Sequence, residues 1–174
     1  EVLDALAKAP PVPGRFEQLT FEDGTTVIVD YAHTPDALEN VLQTIRATMP
    51  ERANLWCLFG CGGDRDRTKR GPMGALAEHY ADHVIVTADN ARTEPLPRIM
   101  HDIRAGMQRP EAAYWIEDRR AAIQAAAQHA RPGDVVLVAG KGHEDYQIIG
   151  DQKIHLDDRE EVRRRFATRN LHVE

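Results

Sequence analysis

The sequence predicts an α/β fold, a doubly wound and mostly parallel sheet with helices on both faces, and three observations carry that expectation. Short runs such as Leu55–Phe59 and Val135–Ala139 are wholly apolar and bounded by turn residues, as strands buried on both faces are. Longer segments between such runs repeat apolar residues at helical spacing, so strands and helices alternate as in βαβ units. The segments that follow the strands at one end are dense in polar residues and glycine, whereas those at the other end are plain turns.

The elements follow in order. Glu1–Pro13 reads as a helix tail running into a stiff, proline-rich hinge, Ala9-Pro10-Pro11-Val12-Pro13-Gly14. A chain that opens on such a hinge is expected to have something attached upstream. Residues 1–13 are therefore taken as the end of a preceding domain and its linker, and residues 14–174 as one domain. Phe16–Phe21 and Thr25–Asp30 flank an Asp23-Gly24 turn signal as two strands. Asp36–Met49 carries Leu38, Val41, Leu42 and Ile45 on one helical face, opened by Thr34-Pro35 in the manner of an N-cap with proline in the first turn. Leu55–Phe59 is a strand, Gly74–Tyr80 a helix, His83–Thr87 a strand, Pro97–Met107 a helix, Ala113–Ile116 a short strand and Arg119–Ala130 an alanine-rich helix. Val135–Ala139 is the clearest buried strand. Tyr146–Ile149 and Lys153–His155 form a hairpin around Gly150-Asp151, and Asp157–Phe166 is a closing helix capped by Asp157 or Asp158.

Composition bounds the function. The 174 residues, 42% of them hydrophobic and 29% charged, describe a soluble globular chain able to bury a core. A net charge of −6 removes the basic field that binding to a nucleic-acid backbone needs. No apolar stretch is long enough to span a bilayer, and the first residues do not read as a secretion signal. Neither nucleic acid nor membrane is expected as a partner. Cys57 and Cys61 cannot form a zinc site alone, and a reducing, cytoplasmic setting suits them.

The chemistry concentrates in four segments at the strand ends, where open α/β sheets bind ligands. They are 30–35 (Asp30-Tyr31-Ala32-His33-Thr34-Pro35), 60–67, 88–94 and 140–145. Gly60, Gly62 and Gly63 permit a tight turn with exposed N–H groups, yet no Walker phosphate loop is present. This segment is either a charged loop that caps the next helix or a mount for Arg65 to grip a carboxylate as a planar fork. Asp89 and Asn90 are either a capping turn or, with Arg92, part of a site for a small anion. In Gly140-Lys141-Gly142-His143-Glu144, Lys141 is placed to act as a point charge on phosphate, and Glu144 to accept from an ammonium group. No residues suit nucleophilic catalysis, and His33 and His143 are not spaced as a metal pair. Both signs of charge meet, which suits an amino acid beside a nucleotide.

Taken together, Val12-Pro13-Gly14-Arg15, the segment from Asp30 to Leu38, Gly60-Cys61-Gly62-Gly63-Asp64-Arg65-Asp66, Asp89-Asn90-x-Arg92-Thr93-Glu94 and Gly140–Tyr146 closely resemble the C-terminal domain of the Mur ligases. The resemblance is to the diaminopimelate-adding type, and it covers residues 12–149. It implies a domain of an ATP-dependent ligase of peptidoglycan synthesis. ATP phosphorylates the γ-carboxylate of a UDP-N-acetylmuramoyl dipeptide, the amine of diaminopimelate attacks the acyl phosphate, and an amide forms. The family's pattern places Arg65, Asp89, Asn90, Arg92, Gly140 and Glu144 on diaminopimelate, and Arg15, Asp30, His33 and Lys141 on the ATP side. It places the phosphate loop and the Mg2+ ligands on a central domain and the UDP-sugar site on an N-terminal domain, so this chain alone is expected to lack ligase activity. Position 91 is Ala where the family has Pro, which implies a less pre-organised turn. A lysine-adding or folylpolyglutamate synthetase-like ligase domain, or a stand-alone module binding a nucleotide or amino acid, are the alternatives.

Overall fold

The computed structural model describes residues 12–169, so the helix tail expected over residues 1–9 and the first prolines of the hinge lie outside the described residues. From Glu17 onward the elements occur in the expected order. They are β1 (Glu17–Thr20), β2 (Thr26–Asp30), α1 (Pro35–Thr48), β3 (Leu55–Phe59), α2 (Arg70–Tyr80), β4 (His83–Val86), α3 (Leu96–Ala105), β5 (Tyr114–Trp115), α4 (Arg119–His129), β6 (Val135–Ala139), β7 (Tyr146–Ile149), β8 (Gln152–His155) and α5 (Asp158–Ala167). Six strands form one sheet in the order β1-β2-β6-β3-β4-β5. β1 pairs antiparallel with β2, and the other five strands run parallel. β7 and β8 make a separate antiparallel hairpin.

Strand alternation splits the core into two layers. Ile28, Cys57, Phe59, Val86 and Leu137 face the side covered by α1, α2 and α3. Val29, Trp56, Leu58, Ile85 and Val136 face the side covered by α4 and α5. This is the period of two that a pleated strand imposes, with helices on both faces because both faces are apolar.

Local chemistry sets most helix starts. Thr34 Oγ1 accepts from the Ala37 N–H at 3.3 Å with Pro35 in the first turn, so the expected cap of α1 is present. Asp157 rather than Asp158 caps α5, accepting from the Arg159 N–H. Helix α2 is the main departure, starting at Arg70, four residues before the expected Gly74. Gly71 and Pro72 read locally as breakers, but proline is tolerated in a first turn. The packing decides the case: a Cβ on Gly106 would lie 2.1 Å from the Gly71 carbonyl oxygen, so α2 and the end of α3 approach backbone to backbone.

Candidate functional site

The carboxyl ends of β2, β3, β4 and β6 open onto one cavity of about 490 Å3, within the usual range for small-molecule sites. Each of the four polar segments contributes. Tyr31, His33 and Thr34 come from the β2 end, and Gly60, Cys61, Gly62, Arg65, Asp66 and Lys69 from the β3 end. Asp89, Asn90 and Arg92 come from the β4 end, and Gly140, Glu144 and Tyr146 from the β6 end.

All six residues expected on the amino-acid side, Arg65, Asp89, Asn90, Arg92, Gly140 and Glu144, line this cavity. The four expected on the nucleotide side are placed differently from one another. His33 lines the cavity, its ring 4.5 Å from that of Tyr31. Arg15 lies outside the cavity wall with its guanidinium 5.0 Å from the Tyr31 ring centroid, within cation–π range. Asp30 is occupied by backbone, accepting from Phe16 N–H at 2.7 Å and Ala32 N–H at 2.8 Å, so it ties the Arg15 segment to the His33 segment. Lys141 is fully buried behind the cavity, donating to Asn90 Oδ1 at 3.2 Å.

The two loops that carry the arginines are held in strained backbone. Asp64 has φ 53° and Arg92 φ 54°, left-handed values that cost a non-glycine residue about 1 kcal/mol. The compensating bonds are specific. Asp64 Oδ2 accepts from both N–H and Oγ1 of Thr93, which also holds the Asp64 carboxyl below the usual carboxylate range. The Arg92 N–H donates to the Ile148 carbonyl and the Arg92 carbonyl accepts from Gly150, so the hairpin clasps this residue. Gln147 Nε2 reaches the Asp89 carbonyl and the Ile148 N–H reaches Asn90 Oδ1, extending the clasp over the whole segment.

A second support lies beneath the glycine-rich loop. The fully buried Arg70 guanidinium donates to both oxygens of Glu94, at 2.8 and 2.7 Å, to Asp102 at 3.0 Å and to the Gly62 carbonyl at 3.0 Å. Glu94 also accepts from the Asp64 N–H, and its hydrogen bonds to Arg70 pull its carboxyl down to about 2. A third support is Arg119, wholly buried against Asp158, which donates to the Ala88 and Ala139 carbonyls and so spaces the β4 and β6 ends. Burial opposes the Arg119 charge, and the carboxylates of Asp158, Asp89 and Glu144 together more than offset it. Motif reading singles out none of Arg70, Glu94, Arg119 and Gln147 as an organiser. A buried position for a residue as costly to bury as arginine is the signal, and it exists only in three dimensions.

The cavity therefore presents charges with different degrees of engagement. Arg65 donates to the Asp64 carbonyl and Arg92 to the Gly63 and Asn90 carbonyls, and among the described residues neither guanidinium meets a carboxylate. Asp89 and Glu144 line the same cavity, as does Gly140. Gly140 has φ 116°, and a Cβ there would come 2.8 Å from Asp89 Oδ2, so glycine is required for the carboxylate to sit there. The Glu144 carboxylate beside the Tyr146 phenol raises its pKa. Two cations and two carboxylates lining one cavity suit a molecule that carries both carboxylate and ammonium groups. The cavity offers no activated nucleophile, since burial pushes the Cys61 thiol up to about 12. No cluster of three or more potential metal-ligating side chains occurs among the described residues.

Comparison with known proteins agrees with this architecture. The family model described as Mur ligase, glutamate ligase domain, matches residues 14–142. A curated relative from Thermosynechococcus vestitus, UDP-N-acetylmuramoyl-L-alanyl-D-glutamate–2,6-diaminopimelate ligase, is 56% identical over 171 residues, covering 97% of this chain and 34% of its own length. The solved structure of a protein with that name superposes with a TM-score of 0.82 at 43% identity, over 95% of this chain and 34% of that one. The folylpolyglutamate synthase of Thermotoga maritima, at 22% identity and a TM-score of 0.58, over 79% of this chain and 29% of that one, shares the fold alone. The chain thus spans about a third of the length of the curated relative.

Proposed function

The chain belongs to the family of Mur ligase glutamate ligase domains, and from that premise we propose that it is the amino-acid-binding part of an ATP-dependent ligase joining 2,6-diaminopimelate to UDP-N-acetylmuramoyl-L-alanyl-D-glutamate. One observation carries this reading: Arg65 and Arg92, without carboxylate partners among the described residues, share a cavity of about 490 Å3 with Asp89 and Glu144. Diaminopimelate has two amino-acid ends. Arg92 pairs a carboxylate as a planar fork, Arg65 assists, and Asp89 and Glu144 accept from ammonium groups, with Asn90 and the Gly140 backbone completing the wall.

In this proposal the remaining two-thirds of the protein binds the UDP-linked dipeptide, Mg2+ and most of ATP. Arg15, Asp30 and His33 serve the ATP side from this chain. The support is the cluster of Arg15 over the Tyr31 ring with the His33 ring tilted against it, braced by Asp30. ATP supplies the phosphoryl group that activates the γ-carboxylate. The residues of this chain orient the incoming amine and, by closing against the other domains, exclude water from the acyl phosphate. The setting is cytoplasmic, which suits the two free buried thiols Cys57 and Cys61.

The test uses the full-length enzyme with Arg92→Ala. Loss of a bidentate charged pair is expected to raise KM for diaminopimelate about 10- to 100-fold, while KM for ATP stays within a factor of about two. Preference for diaminopimelate over lysine should fall in parallel. A variant that keeps its wild-type preference overturns the assignment.

A further inference from the structure

Asparagine carries a donor and an acceptor on one planar group, and either can face a ligand unless the surroundings choose. The surroundings of Asn90 choose. Its Oδ1 accepts from the Ile148 N–H at 2.9 Å and from Lys141 Nζ at 3.2 Å, and its Nδ2 donates to Glu144 Oε2 at 3.3 Å. Rotating the amide by half a turn would set an NH2 group against two donors and an oxygen against a carboxylate. Lys141 itself is fully buried at the foot of the β6 loop, beneath the cavity wall. The Tyr146 ring lies 5.4 Å from Nζ, and the charges of Asp89, Arg119, Glu144 and Asp158 surround it.

We propose that Lys141 is a positioning residue of the amino-acid site, which locks the Asn90 amide so that its NH2 faces Glu144 and the cavity as a donor. The inference rests on the cavity's binding an amino-acid substrate, and it replaces the contact with ATP phosphate that the motif suggests. One Nδ2 hydrogen is taken by Glu144. The other is left for a substrate carboxylate, the same group that Arg92 would pair. Burial supports this role, because a lysine that met phosphate directly would expose its ammonium group, and this one is enclosed. Burial also pushes the Lys141 pKa down against the pull of Asp89, so Asp89 and Glu144 help to keep the charge in place.

The experiment is a double-mutant cycle in the full-length enzyme, with Lys141→Met, Asn90→Ala and both together, reading KM for diaminopimelate and for ATP separately. Lys141→Met should raise KM for diaminopimelate about tenfold and leave KM for ATP nearly unchanged. In the Asn90→Ala background it should have almost no further effect, because the residue it acts through is gone. Multiplicative effects in the double variant, or a rise in KM for ATP in place of diaminopimelate, overturn the proposal. Asn90→Asp supplies an independent arm if Lys141→Met does not fold. It can pair with Lys141 but has no donor, so it should be as impaired as Asn90→Ala; near-normal KM for diaminopimelate would refute the donor role. Arg92→Ala as an internal control separates the two levels. If that variant binds diaminopimelate normally, the amino-acid site itself is misassigned; if it is impaired while the cycle is additive, only the role of Lys141 falls.

Discussion

The two ends of the sheet are both rich in charged residues, but they use them differently. At the amino end, the buried Asp134 accepts from the Asn54 N–H, the Trp56 indole N–H and the Arg131 N–H. Asp82 accepts from the Leu55 N–H and from Arg46. Charge there is spent on holding strand starts together. At the carboxyl end the fully buried arginines, Arg70 and Arg119, are spent in the same way on Glu94, Asp102 and Asp158. Above them Arg65 and Arg92 meet only backbone carbonyls among the described residues. The candidate site is thus set apart by charge left over after the scaffold has taken its share, and the presence of charge at a strand end does not distinguish it by itself.

That contrast can be broken at its strongest point first. Replacing Arg119 with methionine leaves Asp158 buried without its partner, and stability should fall by about 3–5 kcal/mol, read as a shift in the urea unfolding midpoint. An unchanged midpoint would mean that the pair is not part of the scaffold. Asp134→Ala should come next. It strips an acceptor from three donors at the amino end and should cost about 2–3 kcal/mol, with KM for diaminopimelate unaffected in the full-length enzyme. A changed KM there would show that the two ends are coupled.

The smallest effect is one of pH. The folded-state pKa of Glu94, about 2, lies below its ordinary value of 4.5, so the unfolded chain takes up this proton first. The contribution of Glu94 to stability is therefore complete above about pH 4.5 and is lost as pH falls toward 2. In acid unfolding, Glu94→Gln should be less stable than the parent near neutrality and converge with it across that window. A difference between the two that stays constant with pH would sink the assignment of Glu94 as a charged brace.

Much of the fold is legible in the chain because its signals are local. Thr34-Pro35 announces α1 through a side chain that reaches three residues along, and Val135–Ala139 announces a central strand through its own composition. The four polar segments are legible for the same reason, as is the likeness to the family. Helix α2 is less so, because Gly71 and Pro72 read as a break until the contact with Gly106 shows why glycine is there. The partners of the candidate site are the least legible. Asn90 takes its orientation from Lys141 and Ile148, which lie 51 and 58 residues further along the chain.

The sequence by itself determined the alternation of strands and helices, the end of the sheet at which polar residues gather, and the family. Each of these depends on spacing over a few residues or on a short ordered motif. Only the tertiary structure decided which of the charged residues are spent. Arg65, Arg70, Arg92 and Lys141 are all cations in the polar segments that follow strands, and charge type alone does not separate them. Folding buries Arg70 and Lys141 and leaves Arg65 and Arg92 on the cavity wall. The physical reason is that the free energy of a charge depends on the solvent and partners around it, and those are set by residues distant in the chain.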